Sequence, residues 1–200
     1  MIPVLAVMDP HEAAYALVRL FDFVDLGGGR LRFGDQTIAL SAPGAAPADM
    51  LDLPFDHLAL RVADATATAV DFAARGARLH AAFTPHGPRD IAEFWDHGVR
   101  FVFFEGPGGW PVEFCEKRLT PPVQPLEGHS HYGFRTPDLD ALEARFAALG
   151  ATRVRTHRLG DDAAPVNVRF LALGGDIIEL FDEGPFAPPA TAGWVGLLPR

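Results

Sequence analysis

Residues 57–77, HLALRVADATATAVDFAARGA, and residues 131–151, HYGFRTPDLDALEARFAALGA, are two copies of one sequence pattern. The copies lie 74 positions apart (131 minus 57) and align without a gap. Both begin with His, carry Arg at the fifth position and Asp at the eighth, and close on Phe-Ala-Ala, one further residue and Gly-Ala. An internal repeat of this kind predicts two copies of the same structural unit within the 200 residues of the chain.

The second copy predicts a strand followed by a helix. The aromatic residues Tyr132 and Phe134 alternate with His, Gly and Arg at positions 131, 133 and 135, which is typical of a half-buried strand. Residues 136–138, Thr-Pro-Asp, supply the cap, the proline and the acid that favour a helix start, and Gly150 favours its end. Spacings of three and four indicate one apolar helical face, formed by Leu139, Leu142, Phe146 and Leu149.

The first copy indicates the same elements, with Asp64 as the helix cap and Gly76 as the stop, and strand-like runs follow the helix in both copies. These runs are residues 78–84, 99–105 and 110–116 in the first copy and residues 152–159, 166–173 and 176–182 in the second. The last runs end alike, because Pro-Val-Glu-Phe at 111–114 matches Ile-Ile-Glu-Leu at 177–180. Residues 85–98 are an insertion in the first copy, which forms either a lid or a plain surface loop.

Each copy therefore predicts a βαβββ module, and these modules set the domain organisation. The first full module spans residues 55–118, and the second spans residues 129–184. Residues 1–50 predict a reduced βαββ module that carries neither the histidine nor the glutamate of the full modules. The tail, residues 185–200, is rich in Pro, Gly and Ala and predicts irregular structure, unless its Trp and Leu residues pack back on the body. The fold class is α+β.

Composition excludes several classes of function. The chain has 17 basic and 26 acidic residues and a formal net charge of -9, which argues against binding to nucleic acid or to an anionic membrane. Its dense apolar runs are as short as a strand, whereas a membrane-spanning helix needs about 20 apolar residues. Cys115 is the single cysteine, and the N-terminus has no basic leader. These features predict a cytoplasmic protein without a disulfide.

The repeat places one histidine and one glutamate in each full module. Side chains two residues apart in a strand share a face, so His57 and His131 turn away from the predicted helices. Glu113 and Glu179 take matching places on the last strands. Each residue alone could be structural, but the recurrence favours a metal site built from two imidazoles and two carboxylates. Such nitrogen and oxygen ligands suit one divalent transition metal, Zn, Ni, Co, Mn or Fe, rather than Ca or Mg.

Further polar residues lie on or near the same strands. Arg61 and Arg135 each follow a histidine by four residues, and they either hold an anionic part of the substrate or pair with a buried acid. His129 lies two residues before His131 and is an alternative ligand. Cys115 has no histidine paired with it in the sequence, which argues against a role as nucleophile.

Four motifs within residues 55–184 resemble the vicinal oxygen chelate superfamily, also called the glyoxalase/bleomycin resistance/extradiol dioxygenase superfamily. They are FDHLALRV and GHSHYGFRTPD at the first strands, and GPGGWPVEFCEK and GGDIIELFDEG at the last strands. The resemblance implies paired βαβββ modules that form a U-shaped mixed sheet around a divalent metal. By position, it implies the metal ligands His57, Glu113, His131 and Glu179.

This ligand set is similar to that of glyoxalase I, whose metal binds an enediolate while a glutamate moves the proton. The resemblance implies lyase or isomerase chemistry on a small molecule, with Glu179 as the first candidate for the base and Glu113 as the second. Arg61 matches an arginine with which glyoxalase I holds glutathione. Lys117 replaces the asparagine of that family, and residues 85–98 have no counterpart in its short bacterial members, so both features argue against glutathione.

Two other functions of the superfamily stay open at this point. Extradiol dioxygenases use Fe(II) with two histidines and one carboxylate, which leaves Glu113 without a role. Antibiotic-binding members hold small molecules without a metal, and four intact ligands argue against that function. The two full modules pair either within one chain or between the chains of a homodimer.

Overall fold

The computed structural model describes residues 1–45, 47, 49–51, 53, 55–118, 127–182 and 193–199. Its first unit contains β1 (Ile2–Ala6), α1 (Pro10–Phe21), β2 (Val24–Gly27), β3 (Arg30–Phe33) and β4 (Gln36–Ser41). The second contains β5 (Phe55–Arg61), α2 (Ala65–Ala74), β6 (Arg89–Ile91), β7 (Val99–Glu105) and β8 (Pro111–Lys117). The third contains β9 (Gly128–Arg135), α3 (Leu139–Ala148), β10 (Thr152–Leu159), β11 (Val166–Leu173) and β12 (Asp176–Phe181), and the last strand is β13 (Trp194–Leu198).

The strands form two mixed sheets, one with the order β13-β1-β4-β3-β2 and one with the order β10-β11-β12-β9-β5-β8-β7-β6. In every unit the first strand pairs in parallel with the last one, as β5 does with β8 and β9 with β12. The antiparallel pairing of β5 with β9 joins the second and third units into one curled sheet. The predicted α+β fold, with paired modules in a U-shaped mixed sheet, is confirmed.

Helix boundaries follow the capping residues that the sequence indicates. The side chain of Asp64 accepts backbone hydrogen bonds at the start of α2, and that of Asp138 does so at the start of α3. Phe72 of α2 packs edge-on against Phe114 of β8, with ring centroids 4.9 Å apart, and Phe146 of α3 packs edge-on against Phe134 of β9 at 5.0 Å. The helices thus cover one face of the sheet, and the alternate residues of the strands are left for the other face.

The first unit has one strand more than its sequence predicts, so its order is βαβββ rather than βαββ. The additional strand is β2, and all four of its residues are exposed. It lies at the edge of its sheet and pairs only with β3 among the described strands. Its sequence, Val-Asp-Leu-Gly, lacks a buried alternate face, which is why the pattern does not indicate a strand.

The expected strand over residues 78–84 is wrong, since this segment contributes only an isolated bridge between Leu79 and Phe104. The amide groups of Phe83 and Thr84 both donate to the carbonyl oxygen of His80 and close a turn. The edge position beside β7 belongs instead to β6, which lies inside the 85–98 insertion.

Part of the C-terminal tail is regular, in contrast to the irregular tail that composition predicts. β13 pairs antiparallel with β1, on the side of β1 that faces away from β4. β9 has the equivalent position next to β5, on the side that faces away from β8. Trp194 and Leu197 are buried in the main core. Backbone pairing with β1 and the burial of these two side chains together stabilise β13. Residues 185–192 of the predicted tail lie outside the described residues. No helix among the described residues is long and apolar enough to cross a membrane.

Candidate functional site

Four neighbouring strands, β12, β9, β5 and β8, bring the two histidines and two glutamates of the repeat together. The Nε2 atoms of His57 and His131 are 3.3 Å apart. Glu113 Oε2 lies 3.2 Å from the first of these atoms and 3.3 Å from the second. Glu179 Oε2 lies 3.5 and 3.3 Å from them. All four side chains are buried, so they form one compact polar cluster inside the curled sheet.

The spacing of these atoms fits a bound transition metal. Ligand atoms about 2.0–2.2 Å from a metal are about 3–3.5 Å from one another in tetrahedral or octahedral geometry. The contacts of both glutamates with both imidazoles fall in this range. The ligand atoms of His57, Glu113 and His131 all lie within 4.8 Å of one another. These three residues can hold a divalent cation, and Glu179, which contacts both imidazoles, places a second carboxylate beside it.

The electrostatics of the cluster also favour a cation. Burial by itself lowers the pKa of His131, but the charges of Glu179 and Glu113 outweigh it and raise the pKa to about 9. Burial likewise opposes the charged form of His57, and hydrogen bonds to Asp56 and both glutamates raise its pKa well above the usual range. Burial raises the pKa of each glutamate, whereas the charge of His131 lowers it below the ordinary value. The carboxylates therefore stay ionised at neutral pH and attract positive charge to this point.

Outer contacts orient both imidazoles. His57 Nδ1 lies 2.9 Å from Asp56 Oδ1, and the other oxygen of Asp56 accepts a hydrogen bond from Arg135 Nη2 at 2.8 Å. His131 Nδ1 lies 3.3 Å from Ser130 Oγ. When Nδ1 of His57 donates to the carboxylate, Nε2 is the nitrogen left to bind a metal. Asp56 is a residue that the repeat does not indicate, because the second copy has Ser130 at the matching position.

The substitution Asp56→Asn is expected to weaken metal binding about tenfold, since a lost outer partner typically costs 10- to 100-fold in metal affinity. The isosteric amide keeps an acceptor for His57 but removes the charge that holds Arg135. Isothermal titration of the metal-free protein with Zn²⁺ measures the change. Asp71→Asn is a matched control, because Asp71 pairs with Arg75 at the exposed end of α2. Equal affinities of the two variants would contradict the role of Asp56.

The two arginines of the repeat differ in position. Arg135 lines the cavity beside the cluster, but its guanidinium is paired with Asp56 and lies 5.4 Å from the ring of Phe181. Arg61 does not line this cavity, and its Nη2 atom lies 3.4 Å from Asp35. Arg135 therefore pairs with a largely buried acid, which is the alternative that the sequence left open, whereas the acid that pairs with Arg61 is exposed. A role of either arginine in substrate binding stays a prediction.

The alternative ligand His129 is not part of the cluster. A bulge between Ala59 and Leu60 in the pairing of β5 with β9 breaks the alternation of the strand. The ring of His129 therefore meets Gln36 Oε1 at 2.9 Å through Nδ1, and its Nε2 accepts the amide hydrogen of Ile177 at 3.0 Å. The expectation that it shares the face of His131 is wrong.

A cavity of about 210 Å³ opens beside the cluster, and most of its wall is apolar. The 85–98 insertion contributes Ile91, Phe94 and Trp95, so its apolar residues belong to the site rather than to a plain surface loop. Cys115 also lines the cavity, and burial raises the pKa of its thiol well above the ordinary value. A neutral buried thiol is a poor nucleophile.

Solved structures with a matching fold include glyoxalase I from Zea mays, with a TM-score of 0.61 and 18% identity, over 90% of this chain and 65% of that one. A mutant of 4-hydroxymandelate synthase from Streptomyces coelicolor has a TM-score of 0.57 and 14% identity, over 96% of this chain and 73% of that one. The fold is that of the vicinal oxygen chelate superfamily.

The chain spans about two thirds of the length of the maize glyoxalase I chains that it matches, with a share of 65–67%. No protein-family model matches the sequence, and no curated protein matches it significantly. At these identities the structural likeness establishes the vicinal oxygen chelate fold, and the chemistry has to be argued from the residues of the site.

Proposed function

We propose that the chain is a divalent-metal-dependent enzyme of the glyoxalase type, which carries out isomerase or lyase chemistry beside a carbonyl group of a small molecule. The observation that supports this most strongly is that the carboxylates of Glu113 and Glu179 each contact the imidazoles of both His57 and His131, at 3.2–3.5 Å, in a buried cluster beside the cavity. His57, Glu113, His131 and Glu179 would hold the divalent metal, which would supply a Lewis acid next to the substrate carbonyl group.

The residues of the chain would supply the proton transfer. An ionised carboxylate beside the substrate removes the hydrogen bound to the carbon next to the carbonyl and returns it to the neighbouring carbon. Glu179 is the first candidate for this base and Glu113 the second, because they occupy equivalent places in the two modules and are both ionised at neutral pH. The wall of the cavity is mostly apolar, and electrostatic interactions are stronger next to apolar groups than in bulk water.

The substitution Glu179→Gln is expected to lower the rate of proton transfer about 10²- to 10⁴-fold, the usual contribution of a general base. The rate is measured by NMR as solvent deuterium exchange at the carbon-bound hydrogens of hydroxyacetone and 2-hydroxyacetophenone. Glu113→Gln is the matched control, since it changes the same group at the equivalent position. If only Glu113→Gln stops the exchange, Glu113 is the base; if neither variant does, both assignments are wrong.

Metal analysis of the purified protein tests the reaction class. Near-stoichiometric Ni, Zn or Co, with exchange that continues without oxygen, supports the proposal. Oxygen-sensitive Fe(II) with turnover of a catechol would contradict it and favour an extradiol-type dioxygenase. Binding of small molecules without any metal, and with no effect of a chelator on the unfolding temperature, would favour a resistance or binding protein.

A small molecule is the proposed partner, and binding to nucleic acid or to a membrane is not expected at a net charge of -9. Residence in the cytoplasm and assembly into a homodimer stay predictions. In the described residues, the second and third units pair through β5 and β9 of the same chain.

A further inference from the structure

Two phenylalanines stand beside the cluster at equivalent places of the two modules. Phe103 of β7 is the register partner of Glu113, and Phe170 of β11 is the register partner of Glu179. The ring of Phe103 lies edge-on to His57, with centroids 5.2 Å apart, and that of Phe170 lies edge-on to His131 at 6.0 Å. Both rings line the cavity, so each imidazole of the cluster has an aromatic face next to it.

The charged groups of the cavity wall are already engaged with other residues. Outside the cluster, the charged side chains that line the cavity, among the described residues, are Arg135 and Asp182. Arg135 pairs with Asp56 at 2.8 Å. Asp182 accepts hydrogen bonds from the backbone and the side-chain amide of Asn167 at 2.8 and 2.6 Å. A ligand with several charges of its own, such as a peptide conjugate or a phosphate ester, would lose its hydration there without gaining partners.

The cavity has room for a single aromatic ring beside the cluster. Its volume is about 210 Å³, whereas an apolar protein cavity of about 150 Å³ accommodates benzene. The difference of about 60 Å³ leaves space for a few more non-hydrogen atoms, enough for a two-carbon group with two oxygens. The aromatic lining favours a flat apolar body, because aromatic rings gain from edge-to-face and offset contacts beyond the burial of their area.

We infer that the substrate is a compound with one aromatic ring next to a two-carbon unit that carries adjacent oxygen atoms, such as an aryl α-hydroxyketone or an aryl α-oxo compound. The oxygens reach the cluster of histidines and glutamates, and the ring lies against Phe103 and Phe170. The position of the oxygens rests on the proposed function, whereas the aromatic preference rests on the cavity wall.

Two hydroxamates separate these claims, because benzohydroxamate and acetohydroxamate present the same pair of adjacent oxygens to a metal and differ only in the ring. The protein is loaded with Co²⁺, and titration with each probe is followed by calorimetry and by the visible absorption of Co²⁺. Benzohydroxamate is expected to bind about 10- to 100-fold more tightly than acetohydroxamate, from the burial of its ring. The ratio of the two affinities for free Co²⁺ in solution is the reference.

Variants of the wall assign the preference to particular side chains. Phe103→Leu and Phe170→Leu keep an apolar residue but remove the ring, and each is expected to reduce the ratio of the two affinities, benzohydroxamate over acetohydroxamate, at least about threefold. Phe104→Leu is the matched control, because Phe104 is adjacent in β7 and packs in the main core instead of lining the cavity.

The outcomes distinguish the inference from the proposed function. If both hydroxamates bind the Co²⁺ protein with equal affinity, the metal site stands and the aromatic substrate class is overturned. If neither probe changes the Co²⁺ spectrum, the open metal site of the proposed function fails, and the inference about the oxygens fails with it. A preference that persists in both cavity variants would also overturn the place given to the ring.

Discussion

Replacing Gly133 with alanine is expected to abolish tight metal binding. A Cβ atom at this position would lie 2.2 Å from Cε1 and 2.5 Å from Nδ1 of His57, which is far inside contact distance. The imidazole has little freedom to move away, because Asp56 holds Nδ1 and Phe103 lies against its ring. The methyl group therefore displaces Nε2 from the cluster, and the loss of a ligand should exceed the about 100-fold cost of losing an outer partner.

The test compares the affinity of the metal-free proteins for Zn²⁺ by calorimetry. Ala59→Gly is the reciprocal control. Gly133 lies opposite His57 in the pairing of β5 with β9, and Ala59 lies opposite His131. Its cost is expected to be about 0.5–1 kcal/mol of stability, without loss of stoichiometric binding. One Zn²⁺ bound to the Gly133→Ala protein with unchanged affinity would show that His57 is not a ligand.

A divalent transition metal is expected to raise the midpoint of thermal unfolding by about 5–11 °C. At a free metal concentration of about 100 times the dissociation constant, binding to the folded state alone adds about 2.7 kcal/mol of stability. Each kcal/mol shifts the midpoint of a chain of this size by about 2–4 °C. This stabilisation comes from the buried cluster. The carboxylates of Glu113 and Glu179 raise the pKa of both imidazoles and so favour their protonated forms, and the cation takes the place of these protons.

Differential scanning calorimetry with added Zn²⁺, and then with excess chelator, measures this shift. His131→Ala removes one central ligand and is expected to abolish the shift. His11→Ala changes a histidine that is exposed on α1 and is expected to leave the shift intact. A shift that survives in His131→Ala, or that is absent from the natural protein, would place metal binding outside the cluster or exclude it.

Much of the site could be predicted because it depends on strand alternation and on repetition. Histidines and glutamates at matching places of two similar units must lie on the same faces once the units have the same topology. The structure then needs only the antiparallel pairing of β5 with β9 to bring His57 and His131 within 3.3 Å. The caps at Asp64 and Asp138 could be predicted for a similar reason, since capping acts within a few residues of the chain.

The features that the pattern missed depend on pairing between distant segments. His129 leaves the predicted face because of a bulge that forms only when β5 and β9 meet. β13 forms because its backbone pairs with the edge of β1 and because Trp194 and Leu197 are buried in the main core. β1 and β13 lie at opposite ends of the sequence, so no local pattern indicates this pairing. The pairing of Arg135 with Asp56 bridges two strands, and no spacing within one strand indicates it.

The repeated βαβββ order of the two full modules, the α+β class and the four polar residues that face one another could all be predicted from the amino-acid sequence, because they depend on local periodicity and on similarity between the copies. The residues that complete the site, in contrast, became visible only in the folded chain. The orienting role of Asp56, the need for Gly133 beneath His57 and the aromatic wall around Phe103 and Phe170 all arise from contacts across strands. Side chains from separate strands reach one another only after the sheet has curled, and that curvature is a property of the whole sheet.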